Sequence, residues 1–212
     1  MISVQSFTAN PYQENAYVLF DESKECIIID PGAYTSQEQN ELSHFIESSQ
    51  LKPVRLLNTH CHIDHVLGNA FVHSMYGLLP EFHSLELELL HAIPGYAPQM
   101  GIRYELSPLP ENFLSESGKI AFGQSELDLI FAPGHSPGHL CFHSPVDNFL
   151  IGGDVLFYQS IGRTDLPGGN HQQLLDNIKH KLFNLPTDCV VYPGHGPSTQ
   201  IGFEKAHNPF LL

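Results

Sequence analysis

The hydrophobic positions in the first half of the chain predict strands that alternate with helices. Residues 1–31 are predicted to be β structure that ends in the turn Asp30-Pro31-Gly32. The next segment carries apolar residues on one helical face, behind an N-cap at Thr35 or Ser36. The predicted elements of this half are strands at 16–20, 25–29, 54–60 and 80–83 and helices at 35–49 and 66–76. This β-α-β-α order favours a sheet that is covered by helices.

The second half of the chain predicts mostly strands. The predicted elements are strands at 119–122, 127–131, 140–143, 149–151 and 189–192, a helix at 172–183 and one short helix within 199–212. Two packed sheets with helices outside would satisfy the order of elements in the whole chain. No linker or low-complexity segment divides it, so we expect a single domain over residues 1–212.

Residues 84–117 carry a different pattern. After a helical pattern at 85–91, prolines and glycines are predicted to break the chain repeatedly, beginning with Pro94-Gly95. A long irregular segment in a compact domain is usually functional or mobile. Its aromatic residues, Tyr96 and Tyr104 among them, fit either a cover over a site or a peripheral loop packed on the body.

Composition and charge narrow the class of protein. Hydrophobic residues make up 42% of the 212 residues, which is enough for a sizeable core. The formal net charge is -14 with nine Lys and Arg residues, so nucleic acid is not expected as a partner. We expect a cytoplasmic protein without membrane contact, because no signal-peptide pattern and no run of ~20 apolar residues is present. The four cysteines are isolated, and each apart from Cys61 lies in or beside an apolar run, so buried free thiols are predicted.

Four metal-binding side chains lie within six residues. The first of these residues is the last one of the predicted strand at 54–60, and the others follow it directly. His60 and His62 alternate in an extended chain, so we expect them to point the same way at the end of the strand. Asp64 and His65 are expected at the turn into the next helix. This segment therefore predicts two adjacent metal-binding points rather than one.

Three further candidate ligands follow apolar strands. His135 and His195 each follow Pro-Gly, and Asp154 follows Gly-Gly. Each of these patterns alone is usually just a turn, but together they complete a set of seven candidates. The set is His60, His62, Asp64, His65, His135, Asp154 and His195. Two catalytic ions with three protein ligands each, and one carboxylate that bridges them, would use about seven groups. Imidazole and carboxylate suit zinc, iron or manganese, and the lack of a Cys pair argues against a thiolate structural site.

The motifs resemble those of metallo-β-lactamase-fold proteins, and specifically those of short, single-domain, glyoxalase II-like bacterial hydrolases. The matching motifs are Thr59-His60-x-His62-x-Asp64-His65, Pro133-Gly134-His135-Ser136-Pro137-Gly138-His139, Gly153-Asp154 and Pro193-Gly194-His195-Gly196. The segment Gly162-Arg163-Thr164-Asp165 resembles one of the glyoxalase II and persulfide dioxygenase branch. The tail His207-Asn208-Pro209-Phe210 resembles that of the short enzymes. The resemblance covers essentially the whole chain.

The resemblance implies an α/β fold, the αββα sandwich, with a site for two divalent ions at one edge. Zinc is the expected metal, with iron or manganese as alternatives. The implied ligands are His60, His62 and His135 for the first ion and Asp64, His65 and His195 for the second, with Asp154 as the bridge. Asp64 and Asp154 would also be the catalytic carboxylates. His139 would orient a ligand or a loop, although an ordinary histidine at the start of a strand is equally expected.

The implied reaction is hydrolysis of S-lactoylglutathione or a related thioester by a hydroxide that bridges the two ions. Arg163 is the candidate cation for substrate binding, unless it only pairs with Asp165, and Tyr96 or Tyr104 could serve instead. The nearest alternative is a mononuclear iron persulfide dioxygenase of the same fold, followed by another metallo-hydrolase or a metal-binding protein without hydrolytic activity. We expect a small-molecule thioester substrate and a monomer or homodimer.

Overall fold

The computed structural model describes residues 1–212, and it divides into two compact units. The first unit comprises Met1–Leu114 and Ala121–Ser125, and the second comprises Ser115–Ile120 and Glu126–Leu212. Neither unit contains a helix with the combination of length and apolarity that spanning a lipid bilayer requires.

The first unit is built on a five-stranded sheet whose strands lie in chain order. Its strands are β1 (Ser3–Ala9), β2 (Glu14–Phe20), β3 (Glu25–Ile29), β4 (Lys52–Leu57) and β5 (Pro80–Glu81), and its helices are α1 (Ser36–Ser48), α2 (Ile63–Val66), α3 (Asn69–Tyr76) and α4 (Leu87–Tyr96). β1, β2 and β3 are antiparallel neighbours, whereas β3, β4 and β5 run parallel. The carboxyl ends of β3 and β4 therefore lie at one edge of the sheet, where Asp30 and the segment from Thr59 to His65 follow them.

Helix α1 forms where the sequence predicts it because its cap and its apolar face agree. The Thr35 side chain accepts a hydrogen bond from the Glu38 N–H, and the Glu38 carboxylate accepts one from the Thr35 N–H at 2.7 Å. Leu42 and Ile46 are buried in a cluster that also contains Ile28 of β3. Burial of these two helical side chains contributes roughly 3–6 kcal/mol, which anchors the helix to the sheet.

Two predicted boundaries near the metal-binding segment are wrong. β4 ends at Leu57 and does not reach His60, because its pairing with β3 and its pairing with β5 both end at that residue. The single helix predicted at 66–76 is instead the pair α2 and α3. The helix breaks because the Gly68 N–H donates to the Pro31 carbonyl at 2.6 Å, at a point where any larger side chain would overlap that carbonyl.

The predicted break at Pro94 is also wrong, since Pro94 lies inside α4. A proline there removes one helical hydrogen bond only two residues before the helix ends, so the loss is small. The 3₁₀ turn Ala97–Met100 continues the helical course until Gly101, which adopts a left-handed φ of 72°. A second 3₁₀ turn, Ser84–Glu86, precedes α4. The irregular part of the segment at 84–117 therefore begins only after Gly101.

The second unit is built on a mostly antiparallel sheet. Its strands are β6 (Lys119–Phe122), β7 (Ser125–Phe131), β8 (Leu140–Ser144), β9 (Phe149–Gly153), β10 (Leu156–Phe157), β11 (Ser160–Ile161), β12 (Val190–Pro193) and β13 (Thr199–Gln200), and its helices are α5 (His171–His180) and α6 (Ile201–His207). The order in the sheet is β13-β12-β9-β8-β7-β6, and β10 and β11 form a separate ribbon. The tip of the β6–β7 hairpin, Ala121–Ser125, belongs to the first unit. β12 runs parallel to β9 with Pro193 beside Gly153, so the residues that follow both strands emerge at one edge.

The five strands predicted in this half are present, with ends that move by at most two residues. The helix predicted at 172–183 ends at His180 and is followed by the 3₁₀ turn Leu182–Asn184. α5 and α6 cover the core of this unit, where Leu174 and Ile201 pack in a cluster with Val191 of β12. All four cysteines of the chain are buried thiols outside any disulfide, as predicted.

Candidate metal centre

A buried carboxylate organises the metal-binding segment of the first unit. Asp30 Oδ1 accepts a hydrogen bond from the Thr59 N–H at 2.7 Å. Its Oδ2 accepts from the Thr59 hydroxyl at 2.6 Å and from His65 Nδ1–H at 3.0 Å. Because the Thr59 hydroxyl has donated its proton to Asp30, its oxygen accepts from His60 Nδ1–H at 3.0 Å. Asp30 therefore fixes the same tautomer in both histidines, in which Nε2 is the unprotonated nitrogen, the form of imidazole that binds a metal ion.

The four candidate ligands of this unit lie together, although strand alternation does not place them there. His62 is extended but lies outside any strand, as the N-cap residue of α2. The ring centroid of His60 is 4.7 Å from that of His62 and 4.1 Å from that of His65. Asp64 Oδ2 lies 3.8 Å from His65 Nε2. The turn into the short helix α2, rather than the end of β4, therefore brings these side chains side by side.

Polar residues that the sequence analysis missed hold this segment in place. Asn58 Nδ2 donates to the His65 carbonyl at 3.1 Å, and Glu86 accepts from the Cys61 N–H at 2.8 Å. Asp30 was recognisable only as part of a turn, and Glu86 carries no local signal because its partner is 25 residues away. Burial, with Glu86 and Asp30 nearby, raises the pKa of Cys61 well above its usual range. Cys61 therefore remains a neutral thiol between two candidate ligands.

In the second unit, helix α5 holds the loop that presents His135. The Asn170 N–H, at the cap of α5, donates to the Gly134 carbonyl at 2.7 Å. The buried Asn177 donates from Nδ2 to the Pro133 carbonyl, also at 2.7 Å. Two consecutive carbonyls before His135 are thus bound to one helix. These bonds fix the backbone of the loop and so the direction in which the His135 side chain points.

Arg163 contributes its backbone to this site. Its carbonyl accepts a hydrogen bond from His135 Nδ1–H at 2.8 Å, so Nε2 of that ring is the unprotonated nitrogen, the form that binds a metal ion. The neighbouring Gly162 is required because a side chain there would overlap the Asp154 carbonyl. The Arg163 guanidinium is exposed and donates two hydrogen bonds of 2.7 Å to Asp165. This pairing is the alternative to substrate binding that the sequence left open for Arg163. That pairing lowers the pKa of Asp165 to about 2.

Asp154 lies between two histidines of the second unit. Its backbone N–H donates to Nε2 of the buried His139 at 3.0 Å, so His139 orients the turn that follows β9. The parallel pairing of β9 and β12 brings His195 to the same edge. Asp154 Oδ2 is 3.4 Å from His135 Nε2 and 3.6 Å from His195 Nε2.

These separations fit ligands that share metal ions. Two ligands of a tetrahedral ion are about 3.4 Å apart when each lies ~2.1 Å from it. The Asp154 oxygen has nearly this spacing to the Nε2 atoms of His135 and His195, so Asp154 can share a metal ion with either histidine. The imidazole and carboxylate donors, with Nδ1 of His60, His65 and His135 already bound, fit zinc, iron or manganese.

Comparison with known proteins shows the family. The model of the metallo-beta-lactamase superfamily matches residues 9–195. The chain is 36% identical over 203 residues to the probable metallo-hydrolase YqgX of Bacillus subtilis, with 95% of this chain and 93% of the relative covered. It is 32% identical over 212 residues to the hydroxyacylglutathione hydrolase GloC of Haemophilus influenzae, with 99% of this chain and 98% of the relative covered.

Solved structures agree with that result. The BLEG-1 B3 metallo-beta-lactamase matches with a TM-score of 0.90 at 36% identity, over 100% of this chain and 99% of that one. TTHA1623 in a di-iron-bound form matches with a TM-score of 0.88 at 37% identity, over 98% of this chain and 100% of that one. The chain therefore belongs to the metallo-β-lactamase superfamily and is a metallo-hydrolase of that class. The predicted fold class is confirmed, and this fold implies binding of divalent metal.

Proposed function

We propose that the protein is a thioester hydrolase of the glyoxalase II type that acts on S-lactoylglutathione or a related thioester. The observation that carries the proposal is the position of Asp154 Oδ2, at 3.4 Å and 3.6 Å from Nε2 of two histidines, which is the spacing of ligands on a shared metal ion. The similarity to the hydroxyacylglutathione hydrolase GloC over nearly the whole chain supports the thioester as the substrate class.

The proposed centre holds two divalent ions, with zinc as the proposed metal. His60, His62 and His135 would hold the first ion, Asp64, His65 and His195 would hold the second, and Asp154 would be shared. Iron is the main alternative, because a structure that is 37% identical to this chain is of a di-iron-bound form. Manganese also suits this set of imidazole and carboxylate donors.

When bound, the ions would supply hydroxide at neutral pH and polarise the thioester carbonyl. The chain itself orients the ligands: Asp30 fixes the tautomers of His60 and His65, and the Arg163 carbonyl fixes that of His135. The Asp64 side chain is 15% exposed, so its carboxylate can accept a hydrogen bond from the attacking water and orient it. The departing thiol has an ordinary pKa of ~8.5, so the thiolate leaves without a dedicated general acid.

This proposal is tested by measuring the metal content and the substrate range of one protein sample. We expect hydrolysis of lactoylglutathione, and we expect Asp154→Ala to lower kcat/KM by orders of magnitude while the circular dichroism spectrum stays unchanged. Asp188→Asn is the matched control, because Asp188 is exposed and lies in the loop before β12, away from the candidate ligands in the sequence. Wild-type activity in Asp154→Ala would overturn the proposal.

The same sample should be tested against two rival activities. The Gly162-Arg163-Thr164-Asp165 segment keeps a persulfide dioxygenase as the second candidate, and a bound single iron with oxygen consumption on glutathione persulfide would establish it. A chromogenic β-lactam tests for the activity in the name of the BLEG-1 relative. Turnover of either compound in place of every thioester would contradict the proposed function.

A further inference from the structure

The ribbon of β10 and β11 connects groups that contact the candidate ligands of the second unit. It begins two residues after Asp154, and Arg163 lies two residues after its end. The Arg163 carbonyl accepts from His135 Nδ1–H at 2.8 Å. On β10, the Phe157 ring meets the His195 ring edge-on, with the two centroids 6.2 Å apart. The position of the ribbon therefore decides where both of these contacts to candidate ligands fall.

A buried carboxylate on α6 holds the tip of this ribbon. Glu204 Oε2 accepts a hydrogen bond from the Gln159 N–H at 3.0 Å. Gln159 lies in the turn between the two strands with a left-handed φ of 53°, and the bond stabilises that turn. The other carboxylate oxygen, Oε1, accepts from the Thr199 hydroxyl. Because Glu204 is fully buried, water cannot replace these bonds.

The C-terminal tail holds the same ribbon at its second strand. Asn208, the residue after α6, is also fully buried. Its Nδ2 donates to the Ser160 carbonyl at 3.0 Å and to Glu204 Oε2 at 2.8 Å. The rings of Phe203, on α6, and Tyr158, in the ribbon, are stacked with their centroids 5.2 Å apart. The helix and the residue that follows it therefore contact three consecutive residues of the ribbon.

We propose that Glu204 and Asn208 are positioning residues of the metal centre, although neither is a candidate ligand. They hold the ribbon in the place where its contacts to His135 and His195 form. Groups that orient a metal-binding imidazole raise the metal affinity of the site, because the ligand is held in place before the ion binds. The inference rests on the proposed metal centre and extends that centre to α6 and the tail.

Three substitutions separate this role from a purely structural one. Glu204→Ala removes every hydrogen bond of the carboxylate. Glu204→Gln should behave as wild type, because the amide oxygen can take the place of Oε2. Its NH2 group can then donate to the Thr199 hydroxyl, which rotates to accept. Asn208→Ala frees the ribbon at a different residue, so the test does not depend on the folding of Glu204→Ala alone.

The measured quantities are the zinc affinity and the NMR signals of the imidazole Nδ1–H protons at saturating zinc. We expect Glu204→Ala and Asn208→Ala to weaken zinc binding about 10-fold in chelator competition, the lower end of the range for groups behind a ligand. The Nδ1–H signal of His135 should shift in both variants. The signals of His60 and His65 should not, because their partners Thr59 and Asp30 belong to the first unit.

Ser144→Ala is the matched control, because it removes a buried hydroxyl of the same unit that bonds to Asp147 and not to the ribbon. It should lower the melting temperature and leave the zinc affinity and the His135 signal unchanged. Folded Glu204→Ala and Asn208→Ala chains with wild-type values of both would overturn the inference and leave thioester hydrolysis standing. A wild-type chain that binds no zinc would overturn the proposed centre, and the inference with it.

Discussion

Replacement of Asp30 by asparagine should weaken metal binding while the fold is retained. The amide keeps the size of the carboxylate but has one acceptor oxygen, whereas Asp30 accepts three hydrogen bonds, two from Thr59 and one from His65. Either the Thr59 N–H loses its acceptor, or the Thr59 hydroxyl and His65 Nδ1–H do. In the second case His60 is affected as well, because its Nδ1–H is bound to the Thr59 oxygen.

The size of the effect follows from those bonds. Loss of one buried hydrogen bond to a charged group costs about 1.5–3 kcal/mol in the free energy of unfolding. Loss of the carboxylate behind a metal-binding imidazole lowers metal affinity about 10- to 100-fold. We expect Asp30→Asn to show both effects.

Competition with a chromogenic chelator measures the metal affinity of the chain. Urea unfolding of the metal-free chain measures its free energy of unfolding. Asp188→Asn, which removes an exposed carboxylate of the loop before β12, should leave both quantities at the wild-type values. A folded Asp30→Asn chain that binds metal as tightly as wild type would refute the role assigned to Asp30.

Three further substitutions test other parts of the structure. Burial alone would raise the pKa of Asp21, but hydrogen bonds from Ser23, Ser125 and Gln124 lower it to about 2. Asp21→Asn should therefore lower the free energy of unfolding by about 1–2 kcal/mol near pH 7, after allowance for solvent screening. In urea unfolding, the difference in this free energy between wild type and variant should shrink as the pH falls from 5 towards 2. Asn177→Ala removes the bond to the Pro133 carbonyl and should cost about 1–3 kcal/mol in urea unfolding and weaken metal binding in the chelator assay. Gly162→Ala should lower metal affinity because its methyl group would overlap the Asp154 carbonyl, whereas Gly95→Ala, which meets open space, should not.

Local patterns in the sequence were sufficient to place most strands and helices. α1 was predictable because Thr35 and Glu38 cap it and because Leu42 and Ile46 repeat with helical spacing. The break between α2 and α3 was not, since it depends on the approach of Gly68 to Pro31, which is distant in the sequence. The end of β4 was not predictable for a similar reason, because it depends on where the pairing with the neighbouring strands β3 and β5 ends.

The candidate ligands were visible in the sequence because imidazole and carboxylate residues follow strands at Pro-Gly and Gly-Gly turns. The groups that orient them were mostly not visible. Asp30 and Glu86 act on residues 25 or more positions away, and Arg163 acts through its carbonyl, which no side-chain pattern reveals. His139 was expected either to orient a ligand or a loop or to be an ordinary histidine at the start of a strand, and in the structure its Nε2 accepts a hydrogen bond from the Asp154 N–H.

Measurement of activity as a function of bound metal tests directly whether the protein hydrolyses a thioester with two bound ions. The metal-free chain is titrated with zinc while lactoylglutathione hydrolysis and the ions bound per chain are followed together. We expect activity to rise until two ions are bound per chain and to be lost again when a chelator is added. Full activity with one ion per chain, or activity that a chelator leaves unchanged, would contradict this expectation.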